Sequence, residues 1–423
     1  MERRGKRPRS AYRDEEAQPS SYVSRHHKEQ RANYNGFHSD TLAASPPWRE
    51  DDKDGHYVFE LGENITPRYK VISKMGEGTF GRVLECWDRK YQEFVAVKVI
   101  RNVPKYREAA LIEIDVLRAL RKHDKNGKRG CLQMKEWFDY RNHVCIVSEK
   151  LGPSLYDFLK KNSYRPFSIE HVRDIGWQLL NSVACMPRLM FSFIAPVLLM
   201  HCCLLPVLID LHELSLIHTD LKPENILLVS SAYVKTLDYK SARLDKHLTR
   251  TPTSAEIRLI DFGSATFENQ HHSSIVSTRQ YRAPEIILGL GWSYACDLWS
   301  VGCILVELFS GDPLFQTHEN LEHLAMMERI LGPIPRRIID NVDRKAQKYF
   351  KNGRELNWPD AASSLESIRT VKRLPRLKEL VQLHVEHSAS SLTDLLEGLL
   401  RYGASDRLTA KEALRHPFFK ERR

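Results

Sequence analysis

The sequence predicts an α+β protein in two lobes, a small antiparallel β-lobe with one helix followed by a larger helical lobe. Three observations carry this. From Tyr69, short apolar and β-branched runs alternate with a glycine-rich turn. One amphipathic stretch, 107–121, interrupts them with apolar residues at helical spacing. Beyond Gly152 the apolar spacing is almost wholly helical.

Residues 1–66 are rich in Ser, Pro, Asn, His and charge without a period, and read as a largely disordered tail. Tyr57, Val58 and Phe59 form an apolar island in it that could pack onto the folded part. The β-lobe spans 69–152. Val71-Ile72, the glycine run, Val83-Leu84 and Val95–Ile100 read as strand, turn, strand, strand, and 132–138 and 143–148 as two more strands. The helical lobe spans 153–419. Stretches 154–163, 168–186, 295–310, 318–332, 375–385 and 391–402 have helical periodicity. Residues 420–423 are a short tail.

Composition is that of an ordinary globular chain, with 42% hydrophobic and 28% charged residues in 423. The length allows two or three packed units with a sizeable core. The net charge of +10 lies outside the tail: residues 1–66 carry −1 and the remainder +11. Those positive charges are spread along a long domain. They read as a solvated surface, with no direct nucleic-acid partner. Eight cysteines, single apart from Cys202 and Cys203, form no CxxC pair and read as reduced thiols of a cytosolic or nuclear protein. The cluster Arg3, Arg4, Lys6, Arg7, Arg9 is either a nuclear import signal or a plain basic tail, and no apolar signal-peptide core follows it.

Five short motifs carry chemistry. Gly76-Glu77-Gly78-Thr79-Phe80-Gly81-Arg82-Val83 has the GxGxxG pattern, weak evidence alone. A dinucleotide site would need a helix next, but Val83–Trp87 reads as a strand. A glycine-rich turn over phosphates fits better, since glycine lets the backbone approach phosphate oxygens. Val95-Ala96-Val97-Lys98 ends an apolar strand on a lysine suited to the α- and β-phosphates. Glu113, mid-helix among apolar neighbours, is the candidate anion to hold Lys98. In isolation it would pass as a solvated helix residue. His218-Thr219-Asp220-Leu221-Lys222-Pro223-Glu224-Asn225 offers Asp220 to accept a hydroxyl proton, Lys222 to steady the γ-phosphate and Asn225 to hold Mg²⁺. Asp261-Phe262-Gly263 follows the strand Ile257–Ile260 and offers a second Mg²⁺ ligand, Asp261. Ala283-Pro284-Glu285 closes a segment of 25 residues begun at Asp261. Asp297 and Arg407 read as structural, Arg407 pairing with Glu285.

In this order on these elements, the motifs resemble a eukaryotic protein kinase over roughly residues 57–419. Glu322-His323-Leu324-Ala325-Met326-Met327-Glu328-Arg329 narrows the resemblance to the LAMMER, or CDC-like, dual-specificity kinases. The same helix reads equally as an amphipathic segment burying Leu321, Leu324, Met327 and Leu331. Thr219, where other kinases have Arg, the Val229–Glu256 hairpin insertion and Ser277–Arg282 are similar to that family too. The wording around Asp54–Tyr57 and Trp137–Tyr140 looks like plant members. The resemblance implies the bilobal kinase fold, ATP and Mg²⁺ as cofactors, and a nuclear enzyme, with a cytoplasmic share left open, acting as a monomer on Arg/Ser-rich splicing factors. It implies a cleft lined by Met75, Gly76, Glu77, Gly78, Thr79, Phe80, Gly81, Val83, Ala96, Lys98, Glu113, Glu149 and Leu151. Asp220 and Lys222 are the implied catalytic residues, and Asn225 and Asp261 the metal ligands. Without the usual Arg at Thr219, activity is expected not to require phosphorylation of the activation segment.

Two departures stand out. Ser148 sits where the family has a bulky aromatic and would open a back pocket beside the adenine. The second is Pro187–Leu211, 25 strongly apolar residues whose removal leaves an uninterrupted family match. Pro187, Pro196 and Pro206 argue against one continuous helix there. The stretch reads as a membrane span, as a regulatory insertion, or as an in-frame retained intron or gene-model error, the last explaining why both flanks rejoin without loss. A span would put Glu113 and Asp220 on opposite sides of a bilayer, so no membrane partner is expected. The alternative function is a pseudokinase or scaffold disabled by the insertion. Intact Lys98, Asp220, Asn225 and Asp261 argue against it.

Overall fold

The computed structural model describes residues 46–185, 216–237, 248–268 and 273–420. The amino-terminal lobe is a five-stranded antiparallel sheet in the order β1-β2-β3-β5-β4. Its strands are β1 (Tyr69–Glu77), β2 (Gly81–Asp88), β3 (Glu93–Ile100), β4 (Met134–Tyr140) and β5 (His143–Glu149). Alternation along β3 decides what the sheet presents. Val95, Val97 and Val99 point to an outer core with Tyr69, Val71, Leu84, Cys86, Cys145 and Val147. Ala96 and Lys98 therefore face the other way, toward the cleft. By the same period Ser148 on β5, opposite Ala96, shares the face of Val144 and Ile146.

The outer core is closed by residues just ahead of β1. Tyr57 and Ile65 are buried in it. This corrects the reading of 46–66 as part of a disordered tail. Their polar composition conceals partners supplied from later in the chain. Arg141 donates to the carbonyl of Pro47 at 3.0 Å and buried His143 bonds Asp51 at 2.9 Å, while within the segment Arg49 pairs with Glu63 at 2.7 Å.

Helix α1 (Pro104–His123) starts on a proline, whose fixed φ suits the first helical position. It buries Ala110, Glu113, Ile114, Leu117 and Leu120 along one stripe against the sheet. Glu113 thus sits on the apolar side of its helix, where a carboxylate needs a partner.

The carboxy-terminal lobe is built on α2 (Leu155–Lys161), α3 (Ile169–Cys185), α4 (Pro284–Leu288), α5 (Ala295–Ser310), α6 (Asn320–Leu331), α7 (Leu365–Arg373), α8 (Leu377–His384) and α9 (Ala389–Leu399). All of α5 from Ala295 to Phe309 is buried, and it ends on Gly311 in the left-handed region. Helix α6 is the signature segment. It buries His323, Ala325, Met326 and Ile330 as well as Leu324 and Met327, a wider face than the expected stripe, while Leu321 and Leu331 are only partly buried. Its Glu322 accepts from the hydroxyls of Thr317 and Ser367, and Glu328 from the amide of Ile334 at 2.9 Å. The signature residues lock α6 into the lobe.

Two short ladders place the functional loops. β6 (Leu216–Ile217) pairs with β11 (Thr266–Phe267), and β7 (Ile226–Leu228) with β10 (Ile257–Leu259). They set 218–225 beside 260–263. The expected hairpin is present as β8 (Tyr233–Leu237) and β9 (Leu248–Pro252). Its base is tied to the lobe by Asn162, which donates to the Arg250 carbonyl at 3.0 Å. The apolar stretch 187–211 lies outside the described residues. No described helix is long and apolar enough to cross a membrane.

Candidate active site

The strand, the helix and a loop of the second lobe converge on one ammonium. Lys98 Nζ donates to both carboxylate oxygens of Glu113, at 2.9 and 2.8 Å, and to Asp261 Oδ1 at 2.9 Å. Burial works against the ammonium, but the two carboxylates raise its pKa above the usual lysine range. Burial pushes Glu113 up, with Lys98 opposing and Asp261 adding to the rise. For Asp261 burial is outweighed by Lys98, and its carboxyl is held below the ordinary value. The contact of Lys98 with Asp261 also excludes an arrangement with Glu113 and Asp220 on opposite sides of a bilayer.

The glycine-rich turn arches beside this cluster. Gly76 and Gly78 border open space, where a Cβ would touch nothing within 4 Å. Gly81 has a different reason to be glycine: a Cβ there would lie 2.1 Å from the Val99 carbonyl oxygen, so only a bare backbone packs on β3. Phe80 is tucked inward, its ring 5.7 Å from Lys98 Nζ and 5.6 Å from the Tyr106 ring. Met75 is exposed, Val83 half-buried and Ala96 buried. Glu77 turns to basic neighbours, Lys74 and Arg82, both at 2.7 Å, which hold its carboxyl down to about 2. At the junction of the lobes Glu149 accepts from the Gln133 amide at 3.1 Å, Leu151 is buried, and Gly152 N donates to Leu228 O at 2.7 Å.

The loop 218–225 is held from below by buried Asp297, which accepts the amides of His218 and Thr219 at 2.8 and 3.0 Å. His218 Nε2 donates to the Ile260 carbonyl at 3.0 Å, while its Nδ1 accepts from the Asp220 amide at 3.3 Å. Thr219 and Asp261 both adopt φ in the left-handed region, at 68° and 64°. For side chains this is strained and persists because surrounding bonds fix it. Thr219 donates its hydroxyl to the Ser264 carbonyl at 2.9 Å, and Asp261 is gripped by Lys98. Asp220 Oδ2 accepts from Lys222 at 2.6 Å, and Oδ1 from the hydroxyl and amide of Thr278 at 2.7 and 3.0 Å. Burial would raise the Asp220 carboxyl, but Lys222 and Thr278 outweigh it and hold it below the usual range. Asn225 Nδ2 donates to the Asp220 carbonyl at 2.9 Å, which leaves its amide oxygen available as a ligand.

Sequence reasoning named Ser277–Arg282 as a segment but missed Thr278 as a direct partner of Asp220. A lone hydroxyl in a loop gives no periodic or compositional signal. Arg407 pairs with Glu285 as expected, at 2.8 and 2.9 Å, with both side chains almost fully buried.

Residues 69–191 and 199–419 match the protein kinase domain family. Among curated proteins, the serine/threonine-protein kinase AFC2 of Arabidopsis thaliana is 61% identical over 381 residues, covering 90% of this chain and 83% of AFC2. AFC3 of the same plant is 57% identical over 420 residues, covering 99% and 96%. The human dual specificity protein kinase CLK4 is 45% identical over 371 residues, covering 88% and 70%. A crystal structure of a kinase domain superposes with a TM-score of 0.74 at 36% identity, covering 87% of this chain and all of that one. Kinases of this family generally use ATP and Mg²⁺ and act on protein substrates. The chain belongs to the protein kinase family and, within it, to the LAMMER, or CDC-like, dual-specificity kinases of the plant type.

Proposed function

We propose that this ATP-dependent dual-specificity kinase phosphorylates Arg/Ser-rich splicing factors in the nucleus, with a cytoplasmic share left open, using the residues just described. The observation that carries the substrate class is an exposed carboxylate, Glu224, close to Asp220 and Asp157. Glu224 reaches the surface, yet its carboxyl is raised, first by desolvation, with Lys222 opposing and Asp220 and Asp157 adding to the rise. Carboxylates crowded in this way gain from a guanidinium placed among them. This local charge runs against the +11 of residues 67–423, which gives no general attraction for basic peptides. The basic cluster at Arg3–Arg9 supports the nuclear assignment.

The donor set fits ATP and Mg²⁺. Lys98, Glu113 and Asp261 together carry one negative charge more than positive, which favours a cation there. Asp261 and Asn225 supply two oxygen ligands, the few that Mg²⁺ takes from protein when phosphates complete its shell. The metal would neutralise charge on the transferring phosphoryl group. Lys98 would pair with the α- and β-phosphates, under the turn 76–81, with Ala96, Glu149 and Leu151 lining the adenine side. Asp220, kept ionised, would orient the substrate hydroxyl and take its proton as the bond from that oxygen to the γ-phosphorus forms and the γ-phosphorus–oxygen bond to ADP breaks, with Lys222 beside the γ-phosphate.

Phosphate transfer from radiolabelled ATP to an Arg-Ser repeat peptide, compared with an Ala-Ser repeat, tests the substrate class. Strong preference for the Arg-Ser peptide, reduced in Glu224→Gln through KM, supports it. Equal use of both peptides overturns it.

A further inference from the structure

We propose that Asp51–Gly55 form a brace that sets the position of the glycine-rich turn, so that the segment ahead of the kinase domain controls nucleotide affinity. The inference rests on reading 76–81 as the cover of the nucleotide. Two arginines make the connection, each bonded to the brace at one end and to the turn at the other.

Arg82 follows the turn on β2. Its Nε donates to Glu77 of the turn at 2.7 Å, and its terminal nitrogens to Asp52 Oδ2 at 2.8 Å and the Tyr57 carbonyl at 2.9 Å. Arg101 follows β3. Its Nε donates to the Asp54 carbonyl at 2.6 Å, its NH1 to the Thr79 carbonyl at 3.2 Å, and its amide to the Phe80 carbonyl at 2.9 Å. Both sides of the turn are thus referred to the brace. Planar guanidinium groups suit this role, because several donors leave one rigid fork in fixed directions.

The brace is itself fixed. Asp52 Oδ1 accepts the amides of Asp54 and His56 at 3.0 and 2.9 Å, closing a turn and leaving Oδ2 for Arg82. Asp51 is held by buried His143 at 2.9 Å and by Asn102 at 3.0 Å. Gly55, at φ 78°, passes so near the end of β3 that a Cβ would lie 3.3 Å from Val103 Cγ2, and its carbonyl accepts from the Asn102 amide at 2.8 Å. The turn has its own contacts, Gly78 N to Gly81 O at 3.0 Å and Lys74 to Glu77 at 2.7 Å, but these lie within the turn and the end of β1 and do not tie it to the segment ahead of the domain. The brace ties it to that segment through Arg82 and Arg101.

Asp52→Asn is the test, since Asn can still close the Asp52 turn but cannot offer Arg82 a carboxylate. Hydrogen exchange of the peptide 76–82 and affinity for the non-hydrolysable analogue AMP-PNP with Mg²⁺ are read on the full chain. In the unmutated chain AMP-PNP slows exchange at 76–82; if it does not, the reading of the turn as nucleotide cover fails. In Asp52→Asn exchange at 76–82 is faster without nucleotide, and AMP-PNP affinity and KM for ATP weaken about five-fold, about 1 kcal/mol, while kcat at saturating ATP changes little. Arg101→Gln cuts the second connection and does the same. Asp52→Asn combined with Glu77→Gln weakens binding by less than the two separate effects combined, because Arg82 relays both. Protection of 76–82 by AMP-PNP, with variants that lower only the thermal midpoint or whose effects simply add, overturns the brace and leaves the turn assignment standing.

Discussion

Replacing Thr278 with valine removes one hydroxyl and leaves the shape of the side chain almost unchanged. That hydroxyl donates to Asp220 Oδ1 at 2.7 Å and accepts from Lys222 Nζ at 3.2 Å. A hydrogen bond to a charged group contributes about 1.5–3 kcal/mol, and the Asp220 side chain is only 21% exposed, so solvent screens it little. Expressed at the barrier, this lowers kcat roughly 10- to 100-fold, with KM for ATP nearly unchanged because Lys98 and Asp261 are untouched. The pH profile has a definite sign. Burial pushes the Asp220 carboxyl up, and Lys222 and Thr278 hold it down. Without the hydroxyl the pKa rises. A base must be ionised to act, so the acidic limb of kcat/KM moves to higher pH and activity falls most in acid. Steady-state kinetics on an Arg-Ser peptide across pH checks both effects, and Thr278→Ser should restore them. A kcat within about two-fold of the parent and an unmoved acidic limb would refute the role given to Thr278.

Three further outcomes follow from the same structure. Arg407→Met leaves Glu285 buried without its partner, which should cost about 3–5 kcal/mol of stability; calorimetry checks this, and Arg407→Met with Glu285→Leu should recover much of it. Phosphatase treatment should leave activity intact, because Thr219 bonds the Ser264 carbonyl and Arg282 bonds the carbonyls of Val276 and Ser277 at 2.8 and 2.7 Å, ordering the segment without a phosphate. Loss of activity on treatment would contradict this. Ser148→Phe, on the cleft face of β5 opposite Ala96, should weaken inhibitors with bulky groups at the back of the adenine site while sparing small ones; equal inhibition of both proteins would remove the back pocket.

What could be read from the residues was whatever depends on spacing. Lys98 lies in a strand of alternating valines, so its direction follows from a period of two, and Glu113 interrupts a buried helical stripe where only a cationic partner makes sense. Arg407 and Glu285 were legible through the order of motifs. The brace was not, because residues 46–66 look like tail by composition and are ordered by Arg82, Arg101 and His143 from later in the chain. Thr278 was missed for a similar reason: its meaning lies in a contact across 58 positions with Asp220. Helix α4, of 5 residues, is too short for periodicity to distinguish from a loop, and α7 buries only Ser367 and Val371, so it carries no apolar stripe to read.

The most direct test of the account is phosphate transfer from radiolabelled ATP to an Arg-Ser repeat peptide by the complete 423-residue chain, beside Asp220→Asn and a version lacking 187–211. The account predicts transfer by the complete chain and by the shortened one, and none above background by Asp220→Asn. A complete chain no more active than Asp220→Asn, with the shortened one active, would contradict it and make 187–211 the element that disables the site.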